Sequence, residues 1–440
     1  MSPDPSGIRA RLETVRERTL SLIAPLEWPV LRKQQIPILS PMVWDLGHIG
    51  NFEETWLLGE LTGAPPLAQG YAEMFDPARN PRPTREALPL PDRATLFDYL
   101  GRVRERVLAA GNGAGPRDAA GRLSRLLARG FVHEMVAEHE EQHQETILQA
   151  LQACADPPYR PALRRPTPPG RPVDPPGAVE GMVRIPAGPF VMGTDRPGFA
   201  YDNERRAHER ELPDYWIDAA PATHADYLAF LDAGGYRERR WWSEAGWAWR
   251  EETGAEAPLY WRHHGGRWLR RRFGDEGEPP PREPVMHVSY WEAQAFARWA
   301  GKRLPTEPEW EKAALWDPAA DRPRLYPWGD EPPTPERANL DQLAFGPAEV
   351  GAYPAGVSAY GVHGMAGDAW EWTASDFAAY PGFEAFPYRE YSEVFFGPEY
   401  KVLRGGSWAT RPAVARGTFR NWDYPIRRQI FTGIRCARDG

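Results

Sequence analysis

FVHEMVAEHEEQHQETILQAL, residues 131 to 151, decides how the first part of the chain folds and carries its chemistry. Val132, Met135, Val136, Ile147 and Leu151 recur at three- and four-residue steps, the period of an amphipathic helix, and His139 and His143 fall on the same stripe. Both histidines are therefore expected to face the core. Two imidazoles at i, i+4 can offer nitrogens to one ion, and borderline metals accept neutral imidazole readily. A helix with two hydrogen-bonded core histidines is the alternative, but the spaced pair beside Glu140, Glu141 and Glu145 favours a metal.

Within that stretch HEEQH matches the H-E-x-x-H pattern of zinc proteases, in which Glu140 would be the general base. The x-x-G-x-x-H continuation is missing, and the chain turns proline-rich from Asp156. A third ligand lies upstream. In SPMVWDLGHIGNFEETWLL, residues 40 to 58, His48 sits in an aromatic-rich helical pattern, with Ser40 expected as N-cap and Pro41 at the first helical position. Three histidines from two packed helices leave coordination positions open, which catalysis requires and a structural site does not.

Composition bounds the rest. A chain of 440 residues with 42% hydrophobic content can build two or three domains with cores. The net charge of -8 gives no nucleic-acid signal, and Lys occurs only at positions 33, 302, 312 and 401, a bias that reflects base composition. Two cysteines, Cys154 and Cys436, cannot make a disulfide framework and fit a reducing cytoplasm. MSPDPSGIRARLETVRERTL lacks the apolar core of a secretion signal, and no run of about 18 apolar residues occurs, so no membrane span is expected.

Helices are expected over 8–27, with Ile8, Leu12, Val15, Leu20 and Ile23 inward, and over 40–62, 91–110 and 117–154. Between the second and third, FDPARNPRPTREALPLP is a proline-rich loop holding Arg82 and Arg85 as R-x-x-R, a surface pair or a carboxylate clamp. Residues 1–155 thus read as a helical bundle of about four long helices. Residues 156–179, DPPYRPALRRPTPPGRPVDPPGAV, read as an extended linker. Residues 180–440 read as an irregular compact domain with little regular sheet, a helix near 290–300 and a Pro-Thr-Glu start for another. Its tryptophan-dense segment from Trp241 to Trp268 is poorly periodic, and packing is favoured over a carbohydrate-binding surface.

MVRIPAGPFVMGT, DNERRAHERELPDYWID, PVMHVSYWEAQAFARWAGKRLPTEPEWEKAA, YPWGD, GDAWEWTAS and VLRGGSW together resemble the formylglycine-generating-enzyme (sulfatase-modifying factor) fold, which is C-type-lectin-like with mixed α and β elements. WDLGHIGNFEE and HEEQHQET resemble the DinB-like four-helix bundle. Fused in this order, the two are similar to the non-haem iron sulfoxide synthases of ergothioneine biosynthesis. The expected fold class is therefore α + (α+β).

That resemblance implies Fe(II) held by His48, His139 and His143, with hercynine, gamma-glutamylcysteine (or cysteine) and O2 as substrates. It implies that Arg82 and Arg85 hold the carboxylates of gamma-glutamylcysteine and that Asp423 and Arg427 add contacts to it. Gln142, Asn421 and Trp422 would lie near the trimethylammonium and carboxylate of hercynine; Tyr388 would be the catalytic tyrosine, with Tyr391 its neighbour. One departure matters: Cys436 stands alone in its domain, so the copper-binding cysteine pair of formylglycine-generating enzymes is absent and that activity is disfavoured. Other readings are a selenoneine synthase joining hercynine to a selenosugar, ovothiol-type synthesis (disfavoured by the missing methyltransferase region), a zinc protease and a lectin-like binding module.

Overall fold

A computed structural model describes residues 5–110, 121–162, 179 and 181–440. The chain divides into two units, Met1–Tyr159 with Pro197–Phe199, and Arg160–Arg196 with Ala200–Gly440. Of the proline-rich run, residues 163–178 lie outside the described residues, as do 111–120 at the start of the expected fourth helix. No described helix is long and apolar enough to cross a membrane.

The first unit contains α1 (Pro5–Ile23), α2 (Trp28–Arg32), α3 (Met42–Glu53), α4 (Tyr71–Met74), α5 (Arg93–Ala110), α6 (Arg122–Leu127) and α7 (Phe131–Ala153) among its described residues. Helix α3 continues through a π-helical turn, Glu54–Glu60. The long helices α1, α3, α5 and α7 make the bundle, with α7 against α1 and α3, and α3 against α5. Val132, Met135, Val136, Ile147 and Leu151 are all buried, as their period requires. Two glycines of WDLGHIG set the packing distance. A Cβ on Gly47 would lie 2.1 Å from the Phe75 ring, and one on Gly50 2.5 Å from Leu100, so α3 accepts these neighbours only where no side chain intervenes.

Two expectations are corrected here. The helix expected over 117–154 is broken at Ala128–Gly130, where Arg129 (φ 54°) and Gly130 (φ 75°) adopt left-handed backbone that cannot carry the α-helical ladder. Ser40 does not cap α3. Pro41 is the residue before Met42, and Ser40 Oγ instead accepts a 2.5 Å hydrogen bond from Arg85 Nη1.

The second unit adds α8 (His224–Asp232), α9 (Glu244–Thr253), α10 (Tyr290–Trp299) and α11 (Glu307–Leu315) to several small sheets. Helices α8, α10 and α11 open with reciprocal capping boxes, Thr223/Asp226, Ser289/Glu292 and Thr306/Glu309. Helix α9 lies inside the segment read as aperiodic; it buries only Gly246 and Trp249, too few apolar positions to show a period. The widest sheet runs in the order Asn421–Asp423, Gly397–Arg404, Trp370–Phe377, Thr432–Gly433. No tryptophan among the described residues is exposed, and Trp310, Trp372 and Trp408 are fully buried, which is packing.

Buried ion pairs hold both units. In the second, Glu307 Oε1 accepts from Arg404 Nη1 and Arg420 Nε, each at 2.7 Å, Glu311 takes Arg404 Nη2 at 2.7 Å, and Arg435 pairs with Glu371 at 2.9 Å. In the first, Arg16 of α1 bridges Glu140 of α7 at 2.8 Å and Glu53 of α3 at 2.9 Å, and Arg104 of α5 reaches Glu53 at 2.6 Å. Thr19 Oγ1 completes the Glu140 shell at 2.7 Å. Burial alone would raise the Glu140 carboxyl, but Arg16, Arg104 and Thr19 outweigh it and hold it below the ordinary value of 4.5. A depressed folded-state value means that the stabilisation is present above that ordinary value and is lost as pH falls through the folded one. Glu140→Gln, which leaves Arg16 with one buried partner fewer, is expected to cost about 3–5 kcal/mol at neutral pH. Denaturant unfolding at pH 7 should read that loss, and the gap from the parent should narrow in acid as the parent carboxylate takes up its proton.

Candidate metal centre

His48 of α3 and His139 and His143 of α7 converge. One nitrogen from each lies within 4.8 Å of the others, the sole such His, Cys, Asp or Glu group among the described residues. His48 Nε2 and His139 Nε2 are 3.2 Å apart, and the His143 ring centroid is 4.9 Å from that of His48 and 4.6 Å from that of His139. The opposite edge of His48 is anchored: its Nδ1 lies 2.8 Å from the Phe75 carbonyl oxygen and can only donate there, leaving the Nε2 lone pair inward. Trp44 stacks on His48 at 5.0 Å and Phe52 on His139 at 3.7 Å, fixing both ring planes.

Burial, then the neighbouring His143, holds His48 and His139 well below the ordinary imidazole range, so both are neutral donors at pH 7. Three imidazoles without a carboxylate ligand fit a borderline divalent ion and leave positions for substrates. Glu140 has no part in this group, since its carboxylate is held by Arg16 and Thr19 against α1; the protease base expected from HEEQH is committed elsewhere. Glu141 is likewise bound to Arg11 at 2.6 Å. Asp45, three residues before His48 on the same face of α3, escaped the sequence reading. It is fully buried, its Oδ1 lies 3.4 Å from His143 Nδ1, and neither oxygen takes a hydrogen bond among the described residues.

The arginine loop and Gln142 belong to the same unit. Arg82 is half-buried with its Nε unbonded among the described residues. Arg85 is buried and already engaged: Nε donates to the Asn80 carbonyl at 2.8 Å, Nη1 to Ser40, and the guanidinium lies 3.5 Å over the Trp44 ring. Burial lowers it to about 10, with Asp45 opposing and Arg82 adding to the fall. Gln142, half-buried one residue before His143, donates to the Glu138 carbonyl at 3.3 Å.

The remaining expected residues gather in the second unit. Asn421, Trp422 and Asp423 form a strand paired with Leu403, Val402 and Lys401. Trp422 stacks on Phe377 at 4.1 Å and meets Tyr391 edge-on at 5.7 Å; Tyr391 is 6.2 Å from Tyr388 and stacks on Tyr201 at 4.0 Å. Asp423 pairs with the buried Arg427 at 3.3 Å. The loop bearing Tyr388 and Tyr391 is pinned by residues that sequence reading missed inside the motif DNERRAHERELPDYWID: Asp202 accepts from Ser392 Oγ at 2.5 Å and from Phe386 N–H at 3.2 Å, and Asn203 donates to Ser392 at 2.9 Å. Burial pushes Asp202 up to about 6 against those bonds. Burial, with Asp202 and Glu390 adding to it, pushes the Tyr388 phenol well above its usual range, so its Oη keeps its proton at neutral pH.

Comparison with known proteins agrees with this division. The sulfatase-modifying factor enzyme 1-like domain matches residues 170–440 and the DinB superfamily matches residues 11–147. The chain is 47% identical over 450 residues to the hercynine oxygenase of Mycolicibacterium thermoresistibile, covering 99% of this chain and 96% of that protein. It is 46% identical over 442 residues to the hercynine oxygenase of Mycobacterium tuberculosis, covering 99% of each. Among solved structures, PvdO from Pseudomonas aeruginosa aligns with a TM-score of 0.41 and 24% identity, over 63% of this chain and all of that one. With a helical DinB unit followed by a sulfatase-modifying factor unit, and near-full-length identity to these enzymes, the chain belongs to the hercynine oxygenase family and is an oxygenase.

Proposed function

We propose that this enzyme is a non-haem Fe(II), O2-dependent sulfoxide synthase of ergothioneine biosynthesis, joining the sulfur of gamma-glutamylcysteine to C2 of the hercynine imidazole. The observation that carries the reading is the trio His48, His139 and His143, three converging imidazoles with no carboxylate ligand, in a chain of this family. The overall change balances: the thiol S–H and the imidazole C2–H are lost, a C–S bond forms, one oxygen atom goes to sulfur and the other leaves as water. His48, His139 and His143 would hold Fe(II), which when bound would supply Lewis-acid and one-electron chemistry toward the thiol and O2. A reducing cytoplasm suits the two buried thiols, Cys154 and Cys436.

The chain's own residues bind, orient and supply protons. Arg82 and Arg85 take the carboxylates of the thiol substrate, Arg82 with its unbonded Nε and Arg85 with what its loop contacts leave free. Asp423 and Arg427 add contacts to the same substrate. Gln142, Asn421 and Trp422 receive hercynine, whose trimethylammonium suits the face of an indole. Tyr388 Oη, kept protonated by its surroundings, hands its proton to the oxygen that leaves as water and regains one from the proton released at the imidazole C2.

Anaerobic reconstitution tests this reading as a whole. Protein purified without air should hold about one equivalent of iron, as a three-histidine site implies. On admitting air with hercynine and gamma-glutamylcysteine it should yield the sulfoxide by mass spectrometry. His139→Ala should lose iron and turnover together while remaining helical. Zinc in place of iron, or turnover only with a selenosugar, would replace the proposal. Tyr388→Phe removes the proton and keeps the ring; both substrates should bind while product shifts from sulfoxide toward the sulfinic acid of the thiol. Wild-type sulfoxide production without sulfinate would remove Tyr388 from the role.

The arginines should separate in their effects. A charge-assisted contact to a carboxylate is worth about 1.5–3 kcal/mol, so Arg82→Ala should lower kcat/KM for gamma-glutamylcysteine about 10- to 100-fold, mostly through KM, with a smaller effect on hercynine and none on iron. Arg85→Ala should add a fall in thermal stability, because it also releases Asn80 and Ser40. Steady-state kinetics with each substrate varied, beside a melting curve, checks both; equal losses for the two substrates would mark a damaged loop.

A further inference from the structure

We propose that Asp45 is the positioning carboxylate of the histidine site: it accepts a hydrogen bond from His143 Nδ1–H and so fixes the tautomer that turns Nε2 toward the metal. The inference rests on the three histidines binding a metal, and its test separates the two.

Each ring of the trio is oriented by a different neighbour. His48 is held through Nδ1 by the Phe75 carbonyl, and His139 is clamped flat by Phe52. For His143 the group at Nδ1 is Asp45, at 3.4 Å. Asp45 and His48 stand three residues apart on α3, so one helical face supplies both a ligand and the carboxylate aimed at the ligand from α7. A carboxylate buried without hydrogen bonds is costly to maintain, and neither Asp45 oxygen has one among the described residues. Such a group is accounted for if cationic character lies on both sides of it. On one side the charge comes from Arg85, whose guanidinium lies 3.5 Å over the ring of Trp44, the residue before Asp45. On the other stands an imidazole whose N–H becomes more acidic, and a better donor, once its second nitrogen binds a metal. Asp45 would thereby link the metal to the loop that carries Arg82 and Arg85.

The experiment measures metal binding on the full-length chain, independent of turnover. Apoprotein is titrated anaerobically with Co(II) against a competing chelator, for the parent, Asp45→Asn, Glu53→Gln and His139→Ala. Asp45→Asn should weaken Co(II) binding about 10- to 100-fold, the usual effect of losing an orienting partner of a ligating histidine. Glu53→Gln neutralises an equally buried carboxylate on the same helix, one that faces Arg16 and Arg104, and should lose stability without losing affinity. If parent and His139→Ala bind Co(II) alike, the metal reading itself falls and this inference with it. If the parent binds and Asp45→Asn matches it, or if Glu53→Gln weakens binding as much, Asp45 is no positioning residue. Should Asp45→Asn fail to fold, the parent decides: in the Zn(II)-loaded, 15N-histidine-labelled chain, the resonance lost in His143→Gln should carry its proton on Nδ1. A proton on Nε2 would overturn the proposal.

Discussion

Everything in the first unit depends on α7 satisfying two neighbours at once. Toward α1 it presents Glu140, which Arg16 ties to Glu53 of α3, while Arg104 of α5 closes on the same Glu53. Four helices are thus drawn together by two carboxylates and two guanidiniums, each buried and each with more than one partner. A buried ion pair with unmet valences destabilises, so this network tolerates little slippage of one helix along another. The rotation it imposes on α7 leaves His139 and His143 on the side of α3, where His48 meets His139 at 3.2 Å. His48 and His139 can approach so closely only while both are uncharged, and burial keeps them in that state.

The second unit solves a different problem by similar means. Its sheets are short and much of its backbone is irregular, so ladder hydrogen bonds alone cannot order it. Arg404, Arg420 and Arg435 fill its interior, neutralised by Glu307, Glu311 and Glu371. Glu307 and Glu311 of KRLPTEPEWEKAA and Arg404 of VLRGGSW are therefore members of core ion pairs. The residues proposed for chemistry are held by other contacts. Asp202 and Asn203 hold Ser392 and Phe386, and the short stretch between them carries Tyr388 and Tyr391.

The fate of neighbouring residues in HEEQH shows how spacing and environment divide the work. His139 and His143 face one partner helix, Glu140 another, and Glu141 is taken by Arg11. A pattern that looks like one motif in the sequence is, in space, a ligand pair laid over a structural ion pair. The arginine loop divides in the same way: Arg85 ties its loop to Trp44 of α3 and to Ser40 ahead of that helix, while Arg82, three residues earlier, keeps its Nε uncommitted among the described residues.

By itself the sequence determined the order of units, the helical nature of the first, and the three histidines, because each is written in local signals: apolar period, proline density, and i, i+4 spacing of ligand types. The Pro-Thr-Glu start of the helix that follows 290–300 was equally local. Only the tertiary structure decided where long-range partners stand. Ser40 looked like a cap because Ser-Pro precedes many helices, yet its hydroxyl receives Arg85 from forty-five residues away. The break at Arg129 and Gly130 was hidden because apolar spacing resumes on its far side. Asp45 read as one more polar residue on a helix, and Asp202 as part of a charged run. Their meaning comes from His143 and Ser392, distant in sequence, and pairing of that kind leaves no periodic trace in a single chain.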